Sequence, residues 1–146
     1  MKPEVHPQKS AKTLYRTKGL LHDLIVTREG ERISLRSSAG IRHTVMDAAA
    51  PHMPGLEYAR NMLTVLAFCP RPRSCLVLGL GGGSIPRMLH AARPGIELDA
   101  VEIDPAVVEV ARRFFHVDAL PRLSIHVGDA ADFLRGCSSK YSIIIV

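Results

Sequence analysis

The spacing of hydrophobic positions changes near Pro70–Pro72, and each side of this point predicts a different kind of structure. Before it, short apolar runs separated by turn residues predict a small β-meander, followed by a helix at residues 56–68 with apolar positions at helical spacing. The three predicted strands are Leu20–Val26, Arg32–Leu35 and Ile41–Met46. Because a meander of this size buries little surface, we expect it to pack against another part of the chain.

After Pro72 the pattern becomes strand, turn and helix, repeated. Four apolar runs predict strands at Cys75–Leu78, Leu98–Ile103, Leu123–Val127 and Tyr141–Val146. The first three runs are each followed by a residue that can cap a helix, namely Ser84, Asp104 and Asp129. The last run ends in four consecutive aliphatic residues, which predicts a strand buried on both faces. This alternation predicts an α/β protein with a parallel sheet and right-handed crossovers.

These elements divide the chain into three parts. Residues 1–19 form a basic leader that we expect to be flexible, because its prolines and cations cannot bury enough surface to offset the entropy of ordering. Residues 20–55 form a small β domain. Residues 56–146 form the larger α/β domain together with its leading helix.

Composition places the chain among ordinary globular proteins. Of its 146 residues, 47% are hydrophobic and 23% are charged, which excludes disordered and fibrous classes. The net charge of +5 favours polyanions weakly, but aromatic residues make up only 5% and Trp is absent. We therefore expect a solvated basic surface and no nucleic-acid partner.

Neither a membrane partner nor a metal site is predicted. No window approaches the roughly 18–20 apolar residues needed to cross a bilayer, and the first 20 residues lack the apolar stretch of a secretory signal. The cysteines, Cys69, Cys75 and Cys137, form no C-x-x-C pair, and the seven histidines are dispersed, which argues against a disulfide framework and a zinc site. We expect a soluble protein of the reducing cytoplasm.

The glycine-rich turn at Gly79–Ser84 follows an apolar strand and opens a helix, where a ligand can approach the backbone and the helix N-terminus. Glu102 lies 21 residues after Gly81, at the end of the next strand, where a carboxylate can accept hydrogen bonds from both ribose hydroxyls. Ser84 replaces the third glycine of the dinucleotide fingerprint, which favours a nucleoside without a pyrophosphate over NAD. The alternatives are a tight turn and a solvated strand-end carboxylate.

Asp129 comes just after the third strand of the predicted parallel sheet, at the edge where open α/β sheets bind ligands. Its carboxylate can accept a hydrogen bond from an adenine amino group. The alternative is an N-cap for the following helix, and the two roles can coexist.

Four segments together resemble the successive motifs of the spermidine synthase (polyamine aminopropyltransferase) family, within the S-adenosylmethionine-dependent methyltransferase superfamily. These segments are Val77–Gly83, Val101–Pro105, His126–Ala130 and Tyr141–Val146. The meander and the helix before the glycine turn resemble that family's N-terminal domain. The resemblance implies an α/β Rossmann-like parallel sheet of the methyltransferase type, truncated after the fourth strand, with a small N-terminal β-meander.

The resemblance also implies a ligand and its contacts. The ligand is S-adenosylmethionine or decarboxylated S-adenosylmethionine, taken as co-substrate without a metal. The glycine turn faces the sulfonium, Glu102 the ribose, Ile103 the adenine ring and Asp129 the adenine amino group. The implied cofactor-binding residues are Gly79, Gly81, Gly82, Gly83, Ser84, Glu102, Ile103, Asp129 and Ala130.

Three departures from the family fall on the substrate side. Ser84 stands where the family has an acid, and Ala59–Leu63 stands where it has Tyr-His-Glu-Met-Leu. The family's catalytic acids are expected just after Val146, so no catalytic residue is assigned within these 146 residues. Aminopropyl transfer to an amine acceptor is the first hypothesis. The alternatives are methyl transfer to an unknown acceptor, or a non-catalytic relative that acts as an association module. We also expect a homo-oligomer formed through the exposed sheet edge or the N-terminal domain.

Overall fold

The computed structural model describes residues 11–146 and contains two four-stranded sheets. The first is antiparallel, with strand order β1-β2-β3-β4, and the second is parallel, with order β7-β6-β5-β8. The first sheet consists of β1 (Lys12–Thr17), β2 (Leu24–Glu29), β3 (Arg32–Ser37) and β4 (Arg42–Asp47). The second consists of β5 (Ser74–Leu78), β6 (Glu97–Glu102), β7 (Leu123–Val127) and β8 (Ile143–Ile145). The predicted α/β architecture and its parallel sheet are confirmed.

Helices connect the strands of the parallel sheet. They are α3 (Ser84–Ala92), α4 (Pro105–Phe115) and α5 (Ala130–Gly136). Asp104 and Asp129 are the N-caps of α4 and α5, as the sequence predicts, and each side chain accepts a backbone N–H of its helix. None of the helices in residues 11–146 is long and apolar enough to cross a membrane.

β1 lies in the segment that the sequence analysis assigned to a flexible leader, and this assignment is wrong for Lys12–Thr17. β1 pairs with β2, so the meander has four strands rather than three. Its largest apolar side chain, Tyr15, packs against Phe114 of α4 with ring centroids 5.3 Å apart. Contact with a distant helix therefore orders a strand with few apolar residues. Residues 1–10 of the predicted leader lie outside the described residues.

The helical segment predicted at residues 56–68 is formed by α1 (Glu57–Asn61), a 3-10 turn at Met62–Thr64 and α2 (Val65–Phe68). The Thr64 hydroxyl donates to the carbonyl oxygen of Asn61 at 2.7 Å. This bond spans three residues and matches the tighter 3-10 geometry. The helical periodicity is thus present, but the helix is not continuous.

β8 is not buried on both faces, which corrects the prediction made from its aliphatic run. Ile143 and Ile145 are buried, whereas Ile144 is 54% exposed. β8 pairs only with β5 in the described sheet and forms one of its edges. Consecutive aliphatic residues therefore do not imply two covered faces here.

Helix α4 joins the two sheets. Val108 and Ala111 belong to the core beneath the parallel sheet, while Val110 and Phe115 belong to the core beneath the antiparallel sheet. All four side chains are at most 2% exposed. The meander is thus stabilised by packing on the α/β part, as its small size requires.

Candidate functional site

The glycine turn begins at the carboxyl end of β5, beside the end of β6. Gly79 donates its N–H to the carbonyl oxygen of Val101 at 2.7 Å, which fixes the start of the turn. Its φ of +98° is a conformation that residues with a side chain rarely adopt. No heavy atom lies within 4 Å of the position that a Cβ atom of Gly79 would take. The turn therefore presents bare backbone to the space above it.

The Glu102 side chain points to the glycine turn and is 9% exposed. Its Oε2 atom accepts the N–H groups of Leu80 at 2.9 Å and Gly81 at 3.4 Å. Its Oε1 atom accepts the N–H of Asp104 at 3.1 Å. Three backbone donors thus compensate the burial of this carboxylate. The same bonds fix the shape of the turn.

Asp104 is a second buried carboxylate, 7% exposed, two residues after β6 ends. Its Oδ1 atom accepts the N–H of Ala106 at 2.8 Å and caps α4. Its Oδ2 atom accepts the N–H of Leu20 at 2.8 Å, from the segment before β2. Asp104 therefore ties the N-terminal sheet to the edge of the parallel sheet where the glycine turn lies.

A cavity of about 490 Å³ lies between the glycine turn and the N-terminal sheet. This volume is typical of sites that enclose a small molecule. Gly79, Glu102 and Asp104 line one side of it. Several apolar side chains that line the cavity are at least 49% exposed, and they are Leu20, Leu21, Ile41, Tyr58 and Ile103. A group of exposed apolar side chains around one cavity is typical of a ligand site.

Gly82 and Gly83 do not line this cavity, in contrast to the predicted role of the whole turn. The N–H of Gly82 donates to the Thr44 hydroxyl at 2.7 Å. A Cβ atom at Gly82 would lie 2.7 Å from Thr44 Cγ2 and 3.0 Å from Phe115 Cδ1. A Cβ atom at Gly83 would lie 2.4 Å from Val117 Cγ1. These two glycines allow close packing of the turn, whereas Gly79 and Gly81 line the cavity.

The remaining predicted site residues fall into two groups. Ser84 and Ile103 line the cavity. Asp129 and Ala130 do not, and the Asp129 Oδ1 atom accepts the N–H groups of Ala131 and Asp132 at 2.8 and 3.1 Å. The N–H of Gly128 donates to the Glu102 carbonyl oxygen at 2.9 Å, which places Asp129 next to the end of β6. The N-cap role of Asp129 is confirmed, and its contact with adenine stays a prediction.

The cavity residues that the sequence analysis missed include three polar residues from the N-terminal part of the chain. Tyr58 and Thr44 line the cavity, and so does Ser37, whose side chain is 2% exposed. Within residues 11–146 the Ser37 hydroxyl has no hydrogen-bond partner. Ser37 continues the inward alternation of Ile33 and Leu35 along β3, and this period of two was the signal that could have identified it.

A separate polar cluster lies nearer the middle of the parallel sheet. The Asp99 Oδ1 atom is 2.7 Å from His126 Nε2, and Asp99 Oδ2 accepts the Tyr141 hydroxyl at 2.9 Å. Burial, followed by the hydrogen bond to Asp99, raises the pKa of Tyr141 above its usual range. These three side chains connect β6, β7 and the segment before β8, and they do not line the cavity at the glycine turn.

Comparisons with known proteins agree with this geometry. The spermine/spermidine synthase domain matches residues 52–146, which is more than half of the chain. The polyamine aminopropyltransferase of Vibrio vulnificus is 37% identical over 92 residues, covering 61% of this chain and 31% of the relative. The mouse eEF1A lysine and N-terminal methyltransferase is 40% identical over 86 residues, covering 59% of this chain and 12% of the relative. The chain thus spans a third or less of the length of these two relatives.

Solved structures show the same fold. A probable spermidine synthase from Corynebacterium glutamicum superposes with a TM-score of 0.74 at 19% identity, covering 84% of this chain and 47% of that one. A spermidine synthase in complex with the transition state analogue AdoDATO gives 0.70 at 20% identity, covering 92% and 46%. Human methyltransferase-like protein 13 in complex with SAH gives 0.54 at 33% identity, covering 61% and 46%. By its sequence match and its fold, this chain belongs to the spermine/spermidine synthase family, within the methyltransferase-type fold.

Proposed function

We propose that the cavity beside the glycine turn binds an adenosyl sulfonium co-substrate, either S-adenosylmethionine or its decarboxylated form. The single observation that carries this proposal is the position of Glu102. Its carboxylate is buried, lines the cavity and is held by backbone N–H groups of the turn. A carboxylate offers about four acceptor positions, so three bonds leave capacity for a ribose hydroxyl.

Other features of the cavity support an adenosine-like ligand. The free space beside Gly79 allows an atom of the ligand to approach the backbone closely. Ile103, 49% exposed directly after β6, offers an apolar surface to a flat base. The two buried carboxylates, Glu102 and Asp104, supply negative charge to a cavity that would receive a positively charged sulfur.

The proposed reaction is an alkyl transfer from sulfur to an acceptor. The acceptor atom attacks a carbon bonded to the sulfonium, the carbon–sulfur bond breaks, and its electron pair leaves with sulfur as a neutral thioether. An amine acceptor also releases a proton to a base. The residues of this cavity contribute by binding and aligning the nucleoside, which lowers the entropic part of the barrier.

For the transferred group we propose aminopropyl, which membership of the spermine/spermidine synthase family supports. A methyl group is the second candidate, and two observations favour it. Ser84 lines the cavity where the resemblance expects an acid, and both carboxylates of the cavity are engaged by backbone N–H groups. A diamine would need carboxylates to offset its desolvation.

Assays with both co-substrates separate these candidates. Decarboxylated S-adenosylmethionine would be tested with putrescine, and S-adenosylmethionine with a panel of methyl acceptors. We expect the first pair to give an aminopropylated product. Methyl transfer in the second assay without any aminopropyl product would replace the first candidate by the second.

The binding proposal itself is tested by calorimetry with S-adenosylhomocysteine and the 146-residue chain. We expect binding that weakens about threefold to tenfold in Ile103→Ala, because an apolar contact with the base is lost. Ile144→Ala is the matched control, since Ile144 is similarly exposed but lies on β8 outside the cavity. No binding by the unmodified chain would overturn the proposal, and so would equal losses in the two variants.

Two further expectations stay proposals. The three cysteines of the chain are free, which supports a location in the reducing cytoplasm. Strand β8 is an edge of the described parallel sheet, and we propose that two copies associate through this edge or through the N-terminal sheet. A mass of one chain in size-exclusion chromatography with light scattering, over a range of concentrations, would refute the association.

A further inference from the structure

A second cavity, of about 360 Å³, lies on the face of the N-terminal sheet that points away from the core. Along β3 the buried side chains of Ile33 and Leu35 alternate with those of Arg32 and Arg36, and the two arginines line this cavity. Arg42 borders both this cavity and the one at the glycine turn. The two cavities thus lie on opposite faces of the N-terminal sheet.

The segment after β4 folds back over this outer face and encloses the second cavity. Gly55 donates its N–H to the carbonyl oxygen of Val45 at 2.9 Å. A Cβ atom at Gly55 would lie 2.6 Å from Val45 Cγ1, so the segment packs directly on the sheet. Ala50 and Met53 of this segment line the cavity, and so does Thr27 of β2, which is only 7% exposed. The second cavity is therefore a walled space that suits a small molecule.

The charged side chains of the second cavity are four arginines and two acids. They are Arg32, Arg36, Arg42 and Arg60, with Glu29 and Asp47. Both acids flank Arg32, because Arg32 pairs with Glu29 of β2 on one side and with Asp47 of β4 on the other. Arg36 lies four residues further along β3, a distance of about 13 Å in a strand. The negative charge is therefore concentrated at one end of the cavity, and Arg36 lies at the other.

Three of these arginines lack a counter-charge. Arg36, Arg42 and Arg60 take part in none of the ion pairs within residues 11–146. Arg36 and Arg42 are opposite each other in β3 and β4, and like charges at such positions are destabilising. The Nε atom of Arg36 is buried and has no hydrogen-bond partner in the described chain, whereas buried donors are normally bonded. An anion in the cavity would satisfy both the charge and this donor.

We propose that the second cavity binds a phosphate group of a small molecule, held by Arg36, Arg42 and Arg60. These arginines come from β3, β4 and α1, so their N–H donors approach from different directions. A phosphate group presents oxygens around a tetrahedron and can accept from all of them, whereas the two oxygens of a carboxylate lie in one plane. The volume of about 360 Å³ leaves room for a second phosphate or an attached group. This inference does not depend on the proposed adenosyl site, which lies in the other cavity.

Calorimetry on the 146-residue chain tests the inference with pyrophosphate, and with citrate as a carboxylate of similar charge, at the same ionic strength. We expect pyrophosphate to bind at least tenfold more tightly than citrate. Arg60→Gln should weaken pyrophosphate binding about tenfold, because a charged donor is lost. Arg36→Gln should weaken it by a similar factor. Arg60 is exposed, so Arg60→Gln keeps the test valid if the Arg36 variant does not fold.

Arg16→Gln is the control for the general loss of a positive charge. Arg16 is exposed on β1 of the same sheet and does not line the second cavity, so this variant should keep the full affinity for pyrophosphate. Equal losses in Arg16→Gln and Arg60→Gln would overturn the inference, and so would the absence of pyrophosphate binding to the unmodified chain. Citrate binding as tightly as pyrophosphate would overturn the assignment to phosphate.

A titration of Arg60→Gln with S-adenosylhomocysteine separates the two cavities. Arg60 does not line the cavity at the glycine turn, so this variant should bind S-adenosylhomocysteine as tightly as the unmodified chain does. Parallel losses of S-adenosylhomocysteine and pyrophosphate binding in Arg60→Gln would contradict a separate phosphate site. Pyrophosphate binding that is lost in Arg60→Gln and kept in Arg16→Gln supports the site, whatever the outcome for the adenosyl ligand.

Discussion

Strand β6 carries two acidic sites whose carboxylates are bonded in different ways. At its end, Glu102 accepts three backbone N–H groups, and Asp104, just beyond, accepts two. Near its middle, Asp99 is bonded to two side chains, His126 and Tyr141. The first site faces a cavity of about 490 Å³, whereas the second links neighbouring segments of the sheet.

The difference shows how the fold separates a binding role from a structural one. Backbone donors are positioned by the chain itself, so the carboxylates at the end of β6 keep their geometry whether or not a ligand is bound. Asp99 is already satisfied by neighbouring side chains and needs no ligand. Substitutions at Glu102 should therefore change both stability and ligand affinity, while substitutions around Asp99 should change stability alone.

The largest effect is expected for Glu102→Ala. Three backbone N–H groups would lose their acceptor, and we expect a loss of about 3 kcal/mol in the free energy of unfolding, measured with urea. Binding of S-adenosylhomocysteine, measured by calorimetry, should weaken about a hundredfold because the turn loses its shape and the ribose loses its acceptor. Glu97→Ala is the matched control, because Glu97 is an exposed residue of the same strand. Equal effects of the two substitutions on stability and on affinity would contradict a special role of Glu102.

The glycine turn contains two kinds of glycine, since Gly82 packs against other side chains and Gly79 lines the cavity. An alanine at Gly82 would press on Thr44 and Phe115, and we expect a loss of about 2 kcal/mol in unfolding free energy. An alanine at Gly79 meets no atom within 4 Å but must adopt a φ near +98°, which costs about 1 kcal/mol. Gly79→Ala should weaken ligand binding more than Gly82→Ala does, when both are measured on folded protein. The reverse order for affinity would show that Gly79 does not face the ligand.

Tyr141→Phe tests the structural site. Removing a hydroxyl that donates to Asp99 should lower the free energy of unfolding by about 1 kcal/mol and leave the affinity for S-adenosylhomocysteine unchanged. Tyr58→Phe is the comparison at the cavity, where the hydroxyl donates to the carbonyl oxygen of His43 at 3.3 Å. Because Tyr58 is 50% exposed, Tyr58→Phe should lower the free energy of unfolding less than Tyr141→Phe does. A change of affinity in Tyr141→Phe would contradict the separation of the two sites.

Alkaline pH should lower the free energy of unfolding through the buried thiol of Cys75. Burial raises the pKa of the Cys75 thiol from 9.0 to about 12, so the folded state disfavours the thiolate. Stability from this group is complete below pH 9 and is lost as the pH rises towards 12, about 1 kcal/mol by pH 10. The raised pKa of Tyr141 acts in the same direction. Urea unfolding at pH 8 and pH 10 measures this loss of stability. The loss should be smaller in Cys75→Ala than in the unmodified chain. An equal loss in the two proteins would show that groups other than Cys75 cause it.

Local patterns were sufficient to predict the parallel sheet and two of its three helix caps, whereas Ser84 is the first residue of α3 and makes no capping hydrogen bond. The apolar runs and the capping residues Asp104 and Asp129 are properties of short segments, and the structure confirms them. β1 was missed because its order depends on Tyr15 meeting Phe114, a contact that no local pattern contains. The exposed Ile144 was mispredicted because an aliphatic run does not show which faces of a strand are covered.

Only the part of the candidate site that the parallel sheet provides could be predicted from the sequence. Gly79, Glu102 and Ile103 belong to motifs of contiguous residues, and all three line the cavity. Ser37 and Thr44 lie in strands with ordinary polar positions, and they reach the cavity only because the N-terminal sheet packs against α4 and the glycine turn. The different roles of Gly79 and Gly82 also depend on this packing, since Thr44 and Phe115 are what crowd Gly82.

The central claim is that Glu102 accepts a hydrogen bond from the ribose of an adenosine ligand. A double-mutant cycle tests it directly, by calorimetry of 5′-methylthioadenosine and its 2′-deoxy analogue with the unmodified chain and with Glu102→Gln. The unmodified chain should bind the 2′-hydroxyl compound about tenfold more tightly, and the preference should be clearly smaller in Glu102→Gln, because a neutral amide oxygen is a weaker acceptor than a carboxylate. The same preference in both proteins would contradict the account.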